Sequence, residues 1–257
     1  MLPGVRHLVR LLLLLAFAAL VLASASACGG GGGLVKQYEY EEDAYLSLDG
    51  SATIYVNASI PALVNLRGLD LKTSPTALLD RAKIRELFSS SAAHVVRISS
   101  WRRLGRRFVQ VRLAVDDITK LGSALPFAWS TYRIDHRDDQ MIYRQVLGAS
   151  AGTPVPDVSW KGSELVAFRL HLPSRVRYHN AGADNLKRGN ILVWEQALAD
   201  RQAGTSLEIE ARIEQTSILY STLMLFLVSG ALAMTVLALI IWWVVRKGKA
   251  SASPGPA

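Results

Sequence analysis

From Ile218 to Val245 the chain runs for 28 residues without a charge. A helix of that length is about 42 Å long, and the hydrocarbon layer of a bilayer is about 30 Å thick. The run therefore predicts a membrane-spanning helix over 217–245, with length to spare for tilt. Trp242 and Trp243 stand near one end and Tyr220 near the other, as residues that prefer the headgroup layer. Arg246, Lys247 and Lys249 follow directly. Positive residues beside a span stay in the cytoplasm, so 246–257 is expected as a short cytoplasmic basic tail of a single-pass cell-membrane protein. The bulk of the chain is then extracytoplasmic. A buried core helix is the competing reading, and both length and flanks speak against it.

A second apolar run, Leu11 to Ala23, has only thirteen residues and is too short to span. Arg6 and Arg10 precede it, and the small residues Ala23-Ser24-Ala25-Ser26-Ala27 lead to Cys28. Residues 1–27 read as a signal peptide. Cys28 occupies the place of the acylated cysteine of bacterial lipoproteins, with Ala25 where leucine is usual. An ordinary signal peptidase would cut at the same bond, so lipidation at Cys28 and plain cleavage both remain open. Gly29 to Gly33 make 28–33 a flexible tether.

The formal charge of +8 would suit nucleic acid. Its distribution does not. All 21 acidic residues lie between the two apolar runs, where 24 of the 29 basic residues face them. The excess is at the ends, where it orients the chain in a membrane, and no nucleic-acid partner is expected. Cys28 is the one cysteine, which excludes an internal disulfide and a cysteine metal site.

Residues 34–216 are expected to form an extracytoplasmic domain held by its core alone. Tyr38 to Leu48 and Ala52 to Ser59 read as a hairpin about Asp49-Gly50, which tolerate positive φ. Ala62 to Leu69 suits a short helical turn. Ser74 is placed to cap a helix over Pro75 to Phe88, with Leu78, Leu79, Ile84 and Leu87 as its apolar stripe. Strands follow at His94 to Ser100 and Arg106 to Val115, a short helix at Asp116 to Leu121, and a hairpin of Ala128 to Asp135 with Gln140 to Leu147. Gly148 to Pro156 reads as a connection within the domain, although a subdomain boundary fits as well. Leu165 to Leu172, Asn190 to Trp194 and Ser206 to Gln215 complete the strands. In the last, Leu207, Ile209, Ala211 and Ile213 alternate strictly with Glu208, Glu210, Arg212 and Glu214. The expected class is α+β, a mainly antiparallel sheet with two or three helices on one face, plus the C-terminal transmembrane helix.

Several segments together resemble a known family. They are Phe168-Arg169-Leu170-His171-Leu172-Pro173-Ser174-Arg175-Val176, His179-Asn180-Ala181, and Gly189-Asn190-Ile191-Leu192-Val193-Trp194, followed by a strand and a terminal membrane helix. This layout, with the cysteine and the early Asp-Gly hairpin upstream, is similar to the LppM-like domain of bacterial membrane-anchored envelope lipoproteins. Ser174 stands where that family leads one to expect glycine. The resemblance implies an α+β envelope domain with a lipid- or glycolipid-binding role, and it carries over no catalytic residue.

The most basic stretch is Arg97 to Phe108. Trp101, Arg102, Arg103, Arg106 and Arg107 are candidates for contact with anionic headgroups, since guanidinium forks suit phosphate and indole suits an interface. A solvated turn whose arginines keep a sheet edge soluble is the alternative. His136-Arg137-Asp138-Asp139 reads as a polar turn, and Asn57-Ala58-Ser59 as a chance glycosylation sequon. His94, His171 and His179 lack metal-ligand spacing, and no nucleophile elbow or phosphate loop occurs. The expectation is a protein that is not an enzyme, without metal or cofactor. Its partners would be the lipid bilayer and a lipid or glycolipid ligand, held in an apolar space between sheet and helices. Trp101, Trp129, Trp160 and Trp194 could border that space or pack in the core. A scaffold for a membrane protein partner is the second hypothesis.

Overall fold

The computed structural model describes residues 36–156, 158–188 and 190–251, with side chains to Arg246. The signal segment, Cys28, the glycine tether and the last residues 252–257 lie outside the described residues. Eleven strands are described: β1 Tyr38–Leu46, β2 Ala52–Ser59, β3 Ala93–Arg103, β4 Arg106–Val115, β5 Ser130–Arg137, β6 Gln140–Leu147, β7 Leu165–His171, β8 Val176–His179, β9 Leu186–Lys187, β10 Ile191–Ala197 and β11 Leu207–Glu214. The helices are α1 Ile60–Arg67, α2 Arg81–Phe88, α3 Leu198–Gln202 and α4 Ile218–Ser251. The expected α+β class is the observed one. Its strands divide into a seven-stranded sheet, ordered β3-β4-β2-β1-β7-β10-β9, and a four-stranded sheet, ordered β5-β6-β11-β8. Pairing is antiparallel apart from β1 with β7.

Alternation decides which faces meet. In β1, Tyr40, Glu42, Ala44 and Leu46 point inward and are buried. Val109, Val111, Leu113 and Val115 do the same in β4, and Ile209, Ala211 and Ile213 in β11. The inner faces of the two sheets share one core with α1 and α2. Each fully buried Leu, Ile or Phe contributes about 1.5–3 kcal/mol relative to exposure.

Helix α1 is buried on every side. Ser59 caps it, its Oγ accepting from the Ala62 amide at 3.1 Å, and Pro61 sits in its first turn. Gly68, at φ 66°, ends it in the left-handed region that glycine adopts without strain. The loop after β6 is docked on this helix, since the Ala151 and Thr153 amides donate to Leu66 O and Asn65 O. Gly148 to Pro156 is therefore a loop of the same domain.

Helix α2 corrects an expectation. It begins at Arg81, not Pro75, because Asp80 caps it by accepting from the Lys83 amide at 2.9 Å. Ser74 and Pro75 instead form a turn closed by Ala77 N to Ser74 O at 3.1 Å, with proline in the second position that turns favour. Leu78 thereby falls outside the helix and is 93% exposed. Strands β8 and β9 are the elements that alternation did not announce; they are short and mostly exposed.

Registers define two ends of the seven-stranded sheet. The C-terminal ends of β1 and β7 lie together, and β11 finishes beside them: Ile218 N donates to Pro173 O at 3.2 Å and Gln215 N to Asp139 O at 3.0 Å. Helix α4 leaves from this end. The β3–β4 hairpin tip lies at the other, where Arg103 meets Tyr38. The eight residues of β2 run between the two ends and put them about 25 Å apart. Residues 218–246 of α4 are exposed throughout and apolar enough to cross a membrane. The hydroxyls of Thr222, Ser229 and Thr235 donate back to carbonyls of the preceding turn at 2.7–2.8 Å, which satisfies them without water.

Candidate functional site

A cleft of about 410 Å³ opens at the end of the seven-stranded sheet opposite α4. Its walls are Pro61 of α1, Pro75 of the turn before α2, Leu104 of the hairpin tip, and Pro156 and Val158 of the loop before β7. Three of these five are prolines, which present no backbone N–H to an apolar guest, while Thr73, Ser74 and Ser159 add hydroxyls to the same lining. Leu104 takes φ 49°, as the tight two-residue turn before Gly105 requires, and is 62% exposed.

Arg106 also lines the cleft, and it is not a free cation. It is 5% exposed. Its Nη2 donates to Glu39 Oε1 at 2.9 Å and its Nη1 to Val158 O at 2.8 Å. The pair leaves the cleft nearly neutral. Such a site suits an acyl chain with ester or hydroxyl acceptors better than a bare phosphate.

The basic stretch singled out in the sequence surrounds this cleft and braces it. Trp101 lies nearly parallel on Phe108, ring centroids 5.6 Å apart. Arg103 stands over the Phe108 ring and donates to Tyr38 O at 2.7 Å. Arg107 donates to Pro75 O at 3.0 Å. The Arg102 side chain is exposed and has no bond among the described residues. Three of the four arginines thus tie the hairpin to β1 and to the two loops of the cleft. A smaller, more polar cleft of about 240 Å³, between Leu78, Leu79 and Arg107, lies close by.

Among the described residues, the space between the two sheets is too small for a lipid. Trp194 is buried and donates from Nε1 to Asn180 Oδ1 at 3.0 Å. Trp129 and Trp160 pack against the core. The cavity between the sheets measures about 10 Å³, beside Glu42 and Gln145, room for about one water.

Next to it sits a charged pair that sequence reasoning missed. Glu42 and Arg67 face each other at 3.8 Å, with side chains 3% and 1% exposed. Tyr40 donates to Glu42 at 2.9 Å, Gln145 at 3.3 Å, and the Arg67 guanidinium lies over the Trp129 ring. Burial pushes the Glu42 carboxyl above its ordinary range, opposed by Arg67, and burial pushes Arg67 down. The available signal was parity: Glu42 shares the inward face of β1 with Tyr40, Ala44 and Leu46. The pair lies deep in the core and away from the cleft. Among the described residues no three His, Cys, Asp or Glu side chains converge as a metal ion requires.

No protein-family model matches the chain, and no curated protein matches it in sequence. Among solved structures, the folded domain of Mycobacterium tuberculosis LppM, determined by NMR, is similar over 74% of this chain and 98% of that one. The TM-score is 0.38 and the identity 12%. A likeness at that level carries no statement about function.

Proposed function

We propose that this chain is a non-enzymatic envelope protein that binds a lipid, glycolipid or other amphiphile in the cleft between the β3–β4 hairpin and α1. Helix α4 crosses the cell membrane, the α+β domain is extracytoplasmic, and Arg246, Lys247 and Lys249 remain inside. The observation that carries the reading is the cleft itself, with a mainly apolar lining, a few hydroxyls from Thr73, Ser74 and Ser159, and a neutralised Arg106 at its side. Its volume lies near the lower end of the 300–1,000 Å³ (roughly) common for ligand sites. It would take one chain of an amphiphile rather than a whole multi-chain lipid.

Native mass spectrometry of the full chain, extracted from the cells that make it, tests this. A reproducible lipid mass is expected, and Val158→Asp should remove it. The same spectrum reads whether Cys28 is acylated. A clean apo mass with a co-purifying membrane protein supports the second reading, a membrane-anchored scaffold. That reading is favoured by the filled interior and by Leu78, 93% exposed beside the cleft.

A further inference from the structure

The membrane contact anticipated at the hairpin tip has a better-placed counterpart. The tip lies about 25 Å along the strands from where α4 leaves. At the α4 end, a different set of basic residues converges from separate parts of the chain. Pro173 O accepts from Ile218 N, in the first turn of α4, and Arg175 O accepts from Glu214 N at 3.1 Å. Leu172 N donates to Asn190 O at 3.1 Å, and Asn190 Nδ2 to Ser174 O at 3.0 Å. The β9–β10 turn, with Lys187 and Arg188, is thereby fixed beside Arg175 and the root of the helix.

Arg175, Lys187 and Arg188 are exposed, and none has an ion pair among the described residues. Lys187 donates to the Asp184 carbonyl at 2.7 Å. Arg177 nearby is occupied by Glu214 at 2.6 Å. Leu186 and Tyr178 are 43% and 46% exposed on the same corner, an apolar and an aromatic residue among cations. The acidic groups facing this corner are the exposed Asp184 and the paired Glu214. On the opposite side of the helix root, Arg137 is outnumbered by Asp138 and Asp139. Asp49, Asp116 and Asp117 mark the same end at β2 and β4, the last two beside His94 and Lys120 at 3.6 and 3.1 Å, and the carboxylates still outnumber the cations there. The end that faces the helix is thus basic and part-apolar on one side and acidic on the other.

We propose that the corner formed by Arg175, Leu186, Lys187 and Arg188 docks on the anionic lipid headgroups of the bilayer that α4 crosses. The acidic side is repelled by the same surface, so the domain leans toward its β8–β9 edge. This rests on the reading of α4 as a membrane span and is independent of what the cleft binds. The test is hydrogen–deuterium exchange of the full chain in nanodiscs of phosphatidylcholine, with and without phosphatidylglycerol. Amides of 174–178 and 185–188 are expected to exchange several-fold more slowly in the anionic discs. Arg175→Gln, Lys187→Gln and Arg188→Gln together should abolish the difference, and Arg175→Lys with Arg188→Lys should keep it. Equal exchange in both discs, persistence in the glutamine variant, or lipid-dependent protection at 101–107 instead would overturn the proposal. A chain that stays out of the discs altogether overturns the span, and the docking with it.

Discussion

The Glu42–Arg67 pair allows a prediction with a worked magnitude. Arg67→Met keeps much of the side-chain length and removes the cation, leaving burial to act on Glu42 unopposed. The carboxyl's hold on a proton then strengthens further. Removing one partner of a buried pair costs about 3–5 kcal/mol, and protonation of the stranded carboxyl offsets part of that loss at low pH. A value raised in the folded state means stability that is full below the ordinary 4.5 and falls as pH rises toward the folded value. The Arg67→Met deficit should therefore be near 3 kcal/mol (roughly) at neutral pH and shrink as the pH falls to 4.5. Glu42→Gln offers no such escape, because arginine does not give up its proton, and a loss of about 3–5 kcal/mol is expected at every pH. Glu42→Leu with Arg67→Met should return to within about 1–2 kcal/mol of the parent. Urea titration of the full chain in a nonionic detergent, followed by tryptophan fluorescence, reads all three. Single-variant losses below about 1 kcal/mol, or an Arg67→Met deficit that ignores pH, would refute a buried, mutually dependent pair.

Four further outcomes follow from particular residues. Gly68→Ala must hold φ near 66° and place its Cβ 3.2 Å from Ala151 Cβ, so the same titration should show a loss of about 1–2 kcal/mol. Arg106→Gln breaks a buried pair and releases the loop at Val158, costing about 3 kcal/mol. Arg102→Gln, on the same hairpin, should stay within about 0.5 kcal/mol. His171 stacks on Tyr45 at 3.8 Å, and burial holds its imidazole below the ordinary 6.5. A depressed value means stability present above 6.5 and lost as pH falls through the folded value, so His171→Phe should flatten the acid side of a melting-temperature profile.

Where period-2 alternation was clean, the sequence disclosed the element and its buried face. β4 and β11 are the plainest cases, and the turn at Asp49-Gly50 was anticipated, with Gly50 alone of the two at positive φ, 85°. The start of α2 was misjudged because Ser74-Pro75 and Asp80 both carry start signals six residues apart, and only packing chooses between them. The division into two sheets was not legible, since alternation states that a face is buried and not what covers it. The cleft was half legible. Its arginines stood out as a cluster, but their engagement with Glu39, Tyr38 and Pro75 spans up to 67 residues of sequence. The basic corner at the helix root was invisible for the same reason, being assembled from β8 and the β9–β10 turn.

The central claim is that the cleft at the hairpin end holds an amphiphile while α4 holds the membrane. Photo-crosslinking in the cells that make the protein tests it most directly, with p-benzoylphenylalanine replacing Leu104 in the full chain. The account predicts a lipid-mass adduct at Leu104 and none at Val96, which is 53% exposed on β3 outside the cleft. No lipid adduct at Leu104, or equal adducts at both positions, would contradict it.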